Sequence, residues 1–295
     1  MNYKRKSLVT HSSSFIVHSW VLCLIIVIGF TLQCSSQYLY KIPKQSIDPF
    51  KILGPRSTEF GYSNSKSPTP MKLDMDAYEI STQITFGQYK GYLNAIKKDS
   101  SHKFYLSQMP DTLMCLPEVY KEYTAGNSYD DFPIVGITWE AAMNYCRWVT
   151  VSNNKGAITF ICRLPCESEW LAAYNYLQTA NLKNDFNQNY SDWLLNAFDE
   201  DWWDFEHNSN FNYIYLAGKK EPNVLKRKGF IGDSYLFKYE HLADYGEMFG
   251  YQDHGYRQVG FRVIKEPVDT ANVVDEKGNQ KMSIDLQILK SWGLK

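Results

Sequence analysis

The sequence predicts a mixed fold of helices and strands with much ordered loop. The chain has 295 residues, 44% of them hydrophobic, which is enough to bury the core of one sizeable domain or of two small ones. Aromatic residues reach 16%, a composition that suits a loop-rich extracytoplasmic fold with many stacked rings. Between residues 71 and 177, segments with the apolar spacing of strands alternate with segments that have the spacing of helices.

Each predicted element has its own signal. The segment "MKLDMDAYEIS", from Met71, is predicted to be a strand, and apolar side chains at helical spacing predict a helix that begins at Thr85. A second helix follows Thr138, whose hydroxyl can accept from backbone N–H groups of the first turn. The β-rich run "AITFICRL" predicts a strand, and "CESEWLAAYNYL" predicts a helix that begins at Cys166, directly after Pro165.

The charge distribution excludes one class of function. Lys and Arg total 31, Asp and Glu total 32, and no long basic run occurs. Proteins that bind nucleic acid concentrate basic residues on one face or segment. We therefore expect no nucleic-acid partner.

The N-terminal segment predicts export and membrane attachment. A basic patch around Arg5 precedes the apolar run "WVLCLIIVIGFTLQC", which is shorter than the roughly 20 residues that a spanning helix needs. Residues 1–33 are therefore interpreted as a secretory signal peptide. The sequence "TLQCSSQ" resembles a bacterial lipobox, which makes Cys34 the expected lipid-attachment residue. The alternative is an uncleaved signal anchor; in both cases the rest of the chain lies outside the cytoplasm.

The remaining chain divides into a linker, a domain and a tail. Residues 34–70 include "SKSPTP", are rich in turn formers and lack apolar periodicity, so they are predicted to be a linker. Residues 71–265 form the predicted domain. The tail of residues 266–295 ends in an apolar segment at helical spacing that is expected to dock on the domain or on a neighbour.

Several segments of the domain resemble one known family. The segments "EIS…FGQYKGYL", "FPIVGITWEAAMNYCRWV", "RLPCESEW" and "GFRVI" occur in the order found in the sulfatase-modifying-factor family, which includes the formylglycine-generating enzymes. The resemblance implies a compact α+β domain with a loop-rich fold related to C-type lectins.

Most residues of these motifs are expected to be structural. The family has a threonine where Cys166 stands here, and this threonine forms a capping box with the glutamate at Glu169. Arginine at the edge of a strand can bind an anionic ligand, but we favour a bracing role for the arginines of the motifs. The residues expected to have structural roles are Glu79, Trp139, Arg163, Glu169, Trp170, Gly260 and Arg262.

The cysteines suggest a disulfide rather than a metal site. Besides Cys34, the predicted mature chain contains Cys115, Cys146, Cys162 and Cys166. Because exported proteins meet an oxidising environment, one disulfide is expected among the last three, although their spacing does not assign the pair. Their spacing is not that of paired metal ligands, and no metal site is expected.

The resemblance also bears on catalysis. Formylglycine-generating enzymes oxidise a substrate cysteine with copper held by two cysteines shortly before the "GFR" motif. Here every cysteine lies at or before Cys166, and the segment Gly229–Arg262 contains none. Copper(I) needs thiolate ligands. The domain is therefore predicted to be inactive in that reaction and to hold no cofactor.

One acidic and aromatic segment is a candidate binding surface. The family's calcium-binding segment has no recognisable counterpart, and "NYSDWLLNAFDEDWWDFEHNSNFNYIY" stands in its place. Clustered carboxylates could bind calcium, and exposed rings could bind a sugar or a protein partner. The alternative is a loop whose rings pack on the core. The candidate residues are Asp199, Asp201, Trp202, Trp203 and Asp204.

Two classes of function are expected. The first is a non-catalytic envelope lipoprotein, anchored in the outer membrane, that uses the domain for binding or assembly; the resemblance extends to gliding-motility and type IX secretion lipoproteins of Bacteroidota. The second is a periplasmic enzyme of different chemistry on the same fold. The second class predicts a cleft that is lined by His241, Asp244, Glu247 or His254. Polar groups would converge in this cleft, and at least one acid or base in it would have a perturbed pKa.

Overall fold

The structure, a computed structural model, describes residues 39–53, 72–113, 117–182, 186, 189–198, 212–235, 248–270, 272–274 and 280–294. The predicted signal peptide and Cys34 lie outside these ranges. No helix among the described residues is long and apolar enough to cross a membrane. The elements in chain order are β1 (Leu39–Ile42), β2 (Gln45–Ile47), α1 (Pro49–Leu53), β3 (Leu73–Met75), β4 (Tyr78–Ser81), α2 (Phe86–Asp99), α3 (His102–Ser107), α4 (Pro117–Ala125), α5 (Trp139–Asn153), β5 (Phe160–Arg163), α6 (Glu167–Thr179), β6 (Ser191–Ala197), a 3-10 helix (Asn223–Lys226), β7 (Arg227–Ile231), β8 (Phe249–Tyr251), β9 (Val259–Gly260), β10 (Ile264–Pro267), β11 (Asn272–Val274), β12 (Gln280–Met282) and α7 (Ile284–Ser291).

Two four-stranded sheets organise the domain. The first has the order β1–β4–β10–β5 with every neighbouring pair antiparallel, so strands from both ends of the described chain pair within one sheet. The second has the order β8–β7–β6–β9, in which only β6 and β9 are parallel. Two further antiparallel pairs, β2–β3 and β11–β12, complete the strands of the described residues.

The predicted starts of the three main helices are confirmed. Thr85 accepts a hydrogen bond from the backbone N–H of Gln88, whose side chain accepts in return from the Thr85 N–H at 2.9 Å. The Thr138 hydroxyl accepts from the backbone N–H of Ala141 at 3.0 Å and caps α5. Cys166 is the N-cap of α6, as predicted. These caps satisfy N–H groups that have no partner within the helix.

Helices and sheets meet around two apolar clusters. The larger cluster is centred on α2 and α5 and is rich in rings; Tyr145, for example, stacks on Tyr89 and meets Phe261 edge-on at 5.4 Å. The smaller cluster lies between α6 and the first sheet, where Trp170 is fully buried beside Phe186. Many rings of the described residues therefore pack in these two clusters.

The predicted linker is wrong for its residues 39–53. These residues form β1, β2 and α1, and Ile42, Ile47 and Leu53 are buried in the smaller cluster. Strands of three or four residues contain too few alternations to give a periodic signal. They form here because they pair with β3 and β4, which lie far away in sequence.

The boundaries of the predicted tail also change. Strand β10 crosses the expected domain end at residue 265, because its four residues pair with both β4 and β5. Helix α7 docks on the domain, with Ile288 and Leu289 buried in the larger cluster. Of the two predicted docking sites, the domain itself is therefore the one observed.

Gly260 allows two backbone segments to approach closely, which leads to a stability prediction. A Cβ at this position would lie 2.8 Å from the carbonyl oxygen of Ile134. We expect Gly260→Ala to lower the free energy of unfolding by about 1–3 kcal/mol, the usual cost of overpacking. Gly91 in α2 is the matched control, because a Cβ there meets nothing within 4 Å and alanine favours a helix. Chemical denaturation of both variants measures the difference, and equal effects would contradict the close approach.

Candidate functional site

Arg163, from the "RLP" motif, is the centre of a buried charge cluster. Its guanidinium donates two hydrogen bonds to Glu169, at 2.7 and 2.8 Å. It also pairs with Glu266 of β10 and, through Nε at 3.1 Å, with Asp285 of α7. The side chain is only 4% exposed. Arg163 therefore joins the strand that carries it, the start of α6 and the C-terminal helix.

The same cluster completes the N-terminus of α6. Oε2 of Glu169 accepts a hydrogen bond from the backbone N–H of Cys166 at 2.6 Å. The carboxylate thus accepts hydrogen bonds from both the guanidinium and the helix cap. The charge of Arg163 and these hydrogen bonds lower the pKa of Glu169, although burial opposes this. Glu169 therefore satisfies the backbone N–H of the N-cap residue although that residue is a cysteine.

Arg262, from the "GFR" motif, belongs to a second buried cluster. Its Nε donates to Asp192 Oδ2 at 2.7 Å, and the guanidinium carbon lies 3.9 Å from the ring centroid of Phe186. The indole N–H of Trp170 donates to the same carboxylate oxygen at 2.9 Å, and Gln83 donates to Oδ1. Asp192 therefore connects the two motifs. Sequence reasoning missed it because its partners lie in segments distant along the chain.

Trp139 lies beside a lysine that the sequence did not single out. Nζ of Lys228 is 4.4 Å from the centroid of the Trp139 ring and donates to the carbonyl oxygen of Tyr215. Lys228 is fully buried, and burial lowers its pKa to about 8. The Trp139 indole N–H donates to the carbonyl oxygen of Leu194 at 2.8 Å. This arrangement ties α5 to β6 and β7.

The disulfide predicted among Cys146, Cys162 and Cys166 is not present in the structure. All three are buried thiols. Cys166 instead occupies the N-cap of α6, with its sulfur 3.7 Å from a guanidinium nitrogen of Arg163. Cys115 lies outside the described residues.

These thiols do not fit the copper site that the family resemblance implies. Burial raises the pKa of Cys146 and of Cys166, whereas a ligating cysteine must be a thiolate. The segment 229–262, in which the resemblance places the copper ligands, contains no cysteine. Among the described residues, no group of three or more His, Cys, Asp and Glu side chains could hold a metal ion.

A groove opens at the end of the first sheet, where β1 and β10 end and β4 and β5 begin. Its volume is 530 Å³, within the range of about 300–1,000 Å³ typical of ligand pockets. Glu79 lies on its wall and pairs with Lys265 at 3.4 Å. Burial and the nearby carboxylates raise the pKa of Glu266, another lining residue, to about 7 although Arg163 opposes this. Side chains that line the groove include Tyr78, Glu79, Phe160, Tyr176, Lys265 and Glu266.

The other predicted site residues lie elsewhere. His254 is exposed, and its Nδ1 is 2.7 Å from Asp253 on the surface. The predicted cleft residues His241, Asp244 and Glu247 lie outside the described residues. The same is true of the candidate binding surface formed by Asp199, Asp201, Trp202, Trp203 and Asp204.

This architecture, with short strands from both chain ends in one sheet and long ordered loops, is the C-type-lectin-like fold of sulfatase-modifying factors. The family described as the sulfatase-modifying factor enzyme 1-like domain matches residues 53–235, which is more than half of the chain. The chain belongs to this family.

Comparisons with individual proteins add similar structures of low identity. The crystal structure of CarF is similar with 13% identity and a TM-score of 0.45, covering 79% of this chain and 99% of CarF. PvdO from Pseudomonas aeruginosa has 15% identity and a TM-score of 0.47, and the variable protein 1 of Treponema denticola has 13% and 0.47; each covers 77% of this chain and 94% of its own. No curated protein sequence matches the chain.

The raised pKa of Glu266 predicts a pH-dependent stability. The folded chain holds this proton up to about pH 7, whereas an unfolded glutamate releases it near its ordinary value of 4.5. Stability should therefore fall as pH rises through this window. We expect Glu266→Gln to reduce the loss of unfolding free energy between pH 5 and pH 7.5 by about 1–3 kcal/mol.

The control is Glu79→Gln, which removes a more exposed carboxylate from the same groove. Urea denaturation of the wild type and both variants at several pH values gives the comparison. An identical pH profile for Glu266→Gln and the wild type would contradict the raised pKa.

Proposed function

We propose that the protein is a non-catalytic, membrane-anchored extracytoplasmic lipoprotein whose sulfatase-modifying-factor-like domain serves binding or assembly. The observation that carries this proposal is the distribution of cysteine. All six cysteines lie at or before Cys166, so the part of the domain that holds copper in formylglycine-generating enzymes has no thiolate to offer.

The buried motif arginines support the same proposal. Arg163 and Arg262 are 4% and 0% exposed, and both guanidinium groups are paired with carboxylates of the same chain. An arginine that binds a substrate must present its donors to a cavity. Here these donors stabilise the fold, so the motif residues account for the scaffold and not for a reaction.

The proposed cellular context follows from the N-terminal segment and the family resemblance. In this proposal Cys34 carries the lipid and holds the domain at the outer membrane, on its periplasmic side or at the cell surface. Envelope lipoproteins of the gliding-motility and type IX secretion machinery in Bacteroidota resemble formylglycine-generating enzymes while lacking their cysteine pair. We propose a place in an envelope complex of this kind.

One observation favours the alternative of a periplasmic enzyme with different chemistry. The groove at the end of the first sheet combines a ligand-sized volume with a carboxyl group, Glu266, whose pKa lies near 7. Such a combination is common in active sites. It is also explained by the three carboxylates that share Arg163, and we therefore rank this function second.

Membership in a stable complex is the first test of the proposed function. We expect cross-linking followed by mass spectrometry on intact envelopes to recover the protein with the same partners in repeated preparations. Recovery as a solitary protein would favour the enzyme. Formation of aldehyde on a sulfatase-type peptide incubated with the purified protein and copper would directly contradict the proposal that the protein is non-catalytic.

Lipid attachment at Cys34 is the second test. We expect Cys34→Ser to abolish incorporation of labelled palmitate, because the thiol is the acylated group. Cys23→Ala is the control, since Cys23 lies in the same N-terminal segment and should be removed with the signal peptide. Label that persists in Cys34→Ser would instead point to another acylated residue, and a wild type without label would favour an uncleaved signal anchor.

A further inference from the structure

A second, smaller cavity shares no lining residue with the groove. It has a volume of 230 Å³ and lies where α4, the loop that follows it and three later segments of the chain meet. Its lining is dominated by rings with one cation at the rim. The rings and the cation of the lining are Tyr123, Tyr129, Phe132, Tyr190, Tyr235 and Arg257.

The backbone around this cavity is held by hydrogen bonds. The carbonyl oxygen of Phe132 accepts from the N–H of Phe86 at 2.8 Å, and the N–H of Phe132 donates to Tyr129 at 3.0 Å. On the opposite wall the N–H of Tyr235 donates to Asn189 at 2.7 Å. A cavity formed in advance binds with a smaller loss of conformational entropy than one that must order on binding.

The rim exposes apolar surface to water. Phe132 is 52% exposed, Tyr235 is 51% exposed and Val119 is 44% exposed. All three line this one cavity. Clustered exposed rings are typical of surfaces that bind another molecule, because burying them in a complex is favourable.

Arg257 adds a positive charge to the lining of the cavity. Among the described residues it has no carboxylate partner, in contrast to the buried Arg163 and Arg262. Its side chain is exposed at the same cavity. A guanidinium in this position is suited to a carboxylate, which it can bind with two parallel hydrogen bonds.

The size and the lining select the ligand. A cavity of 230 Å³ is below the range of roughly 300–1,000 Å³ that holds drug-sized ligands, so it suits a single large side chain. The described lining residues include no carboxylate or side-chain amide to bind the hydroxyls of a sugar. If one residue supplies both the apolar group and the carboxylate, that residue is the last one of a polypeptide.

We propose that this aromatic cavity binds the C-terminal residue of a partner protein, with an apolar side chain among the rings and the terminal carboxylate on Arg257. The inference rests on the proposed binding function and names the chemistry of the partner. In this proposal Arg257 and Tyr235 contact the partner, whereas the groove at the end of the first sheet and the arginines Arg163 and Arg262 do not.

The test uses the full-length protein in detergent and a random heptapeptide library with free C-termini. We expect enrichment of Phe, Leu, Ile, Met or Trp at the last position. A selected peptide should bind at least about tenfold more weakly as its C-terminal amide, a difference of about 1.4 kcal/mol. In Arg257→Gln the acid and the amide should bind equally, and Tyr235→Ala should weaken both.

Matched variants separate this site from general effects. Arg147→Gln removes another exposed arginine, and Val151→Ala trims another exposed apolar side chain; both lie on α5 and should leave peptide binding unchanged. Equal binding of acid and amide to the wild type, enrichment of internal acidic residues, or no enrichment at all would overturn the proposal. Preferential binding of a sugar at Tyr235 would do the same.

The outcome is distinguishable from failure of the proposed function. If the peptides bind as expected but cross-linking finds the protein alone in the envelope, assembly is wrong while the cavity remains a C-terminus binding site. If a stable complex forms and Arg257→Gln leaves both the complex and peptide binding intact, only the assignment of this cavity is wrong.

Discussion

The guanidinium of Arg163 is the interaction on which the C-terminal part of the domain depends. It is buried, and its partners come from α6, β10 and α7. Two of these partners, Glu266 and Asp285, lie beyond residue 235, where the family match ends. Removing one member of a buried pair typically costs about 3–5 kcal/mol, because the other charge is left without compensation. Arg163, a residue of the "RLP" motif, therefore links α7 and β10 to the start of α6, in addition to the strand pairing of β10.

The sharing of Arg163 among three carboxylates also explains the raised pKa of Glu266 at the groove. One guanidinium cannot neutralise three carboxylates, and the pair with Glu169 has the best geometry because both oxygens are engaged. Glu266 is the partner whose pKa rises, since it is buried next to two other carboxylates. Its raised pKa thus follows from burial and from how Arg163 is shared, and no reaction is needed to account for it.

The sequence predicted those features whose cause is local. Thr85, Thr138 and Cys166 begin helices because capping depends on neighbours within one turn. Strand β1 was missed, as were the roles of Asp192 and Asp285, because each is defined by contacts with residues far away along the chain. The disulfide prediction was wrong for a related reason. Compartment and spacing indicate that a bridge is possible but do not indicate where the side chains lie.

The division between motif and non-motif residues bears on function. Arg163, Glu169, Trp170 and Arg262 are all buried, and their polar groups are engaged within the chain, so the family motifs specify how the domain is built. A copper site of cysteine ligands beside these motifs would need accessible thiolates. The described thiols of Cys146 and Cys166 are buried instead, with raised pKa values that disfavour the reactive form.

The accessible side chains of the aromatic cavity lie on loops, and one of them, Phe132, begins a family motif. The exposed rings Phe132 and Tyr235 and the cation Arg257 lie on loops, and backbone hydrogen bonds to Phe86 and Asn189 hold the two rings' segments in place. Loops on a rigid scaffold can change their side chains without unfolding the domain, which is why one fold supports unrelated functions. Different side chains on these loops are therefore compatible with the same buried clusters, because the clusters hold the scaffold and the loops present the accessible groups.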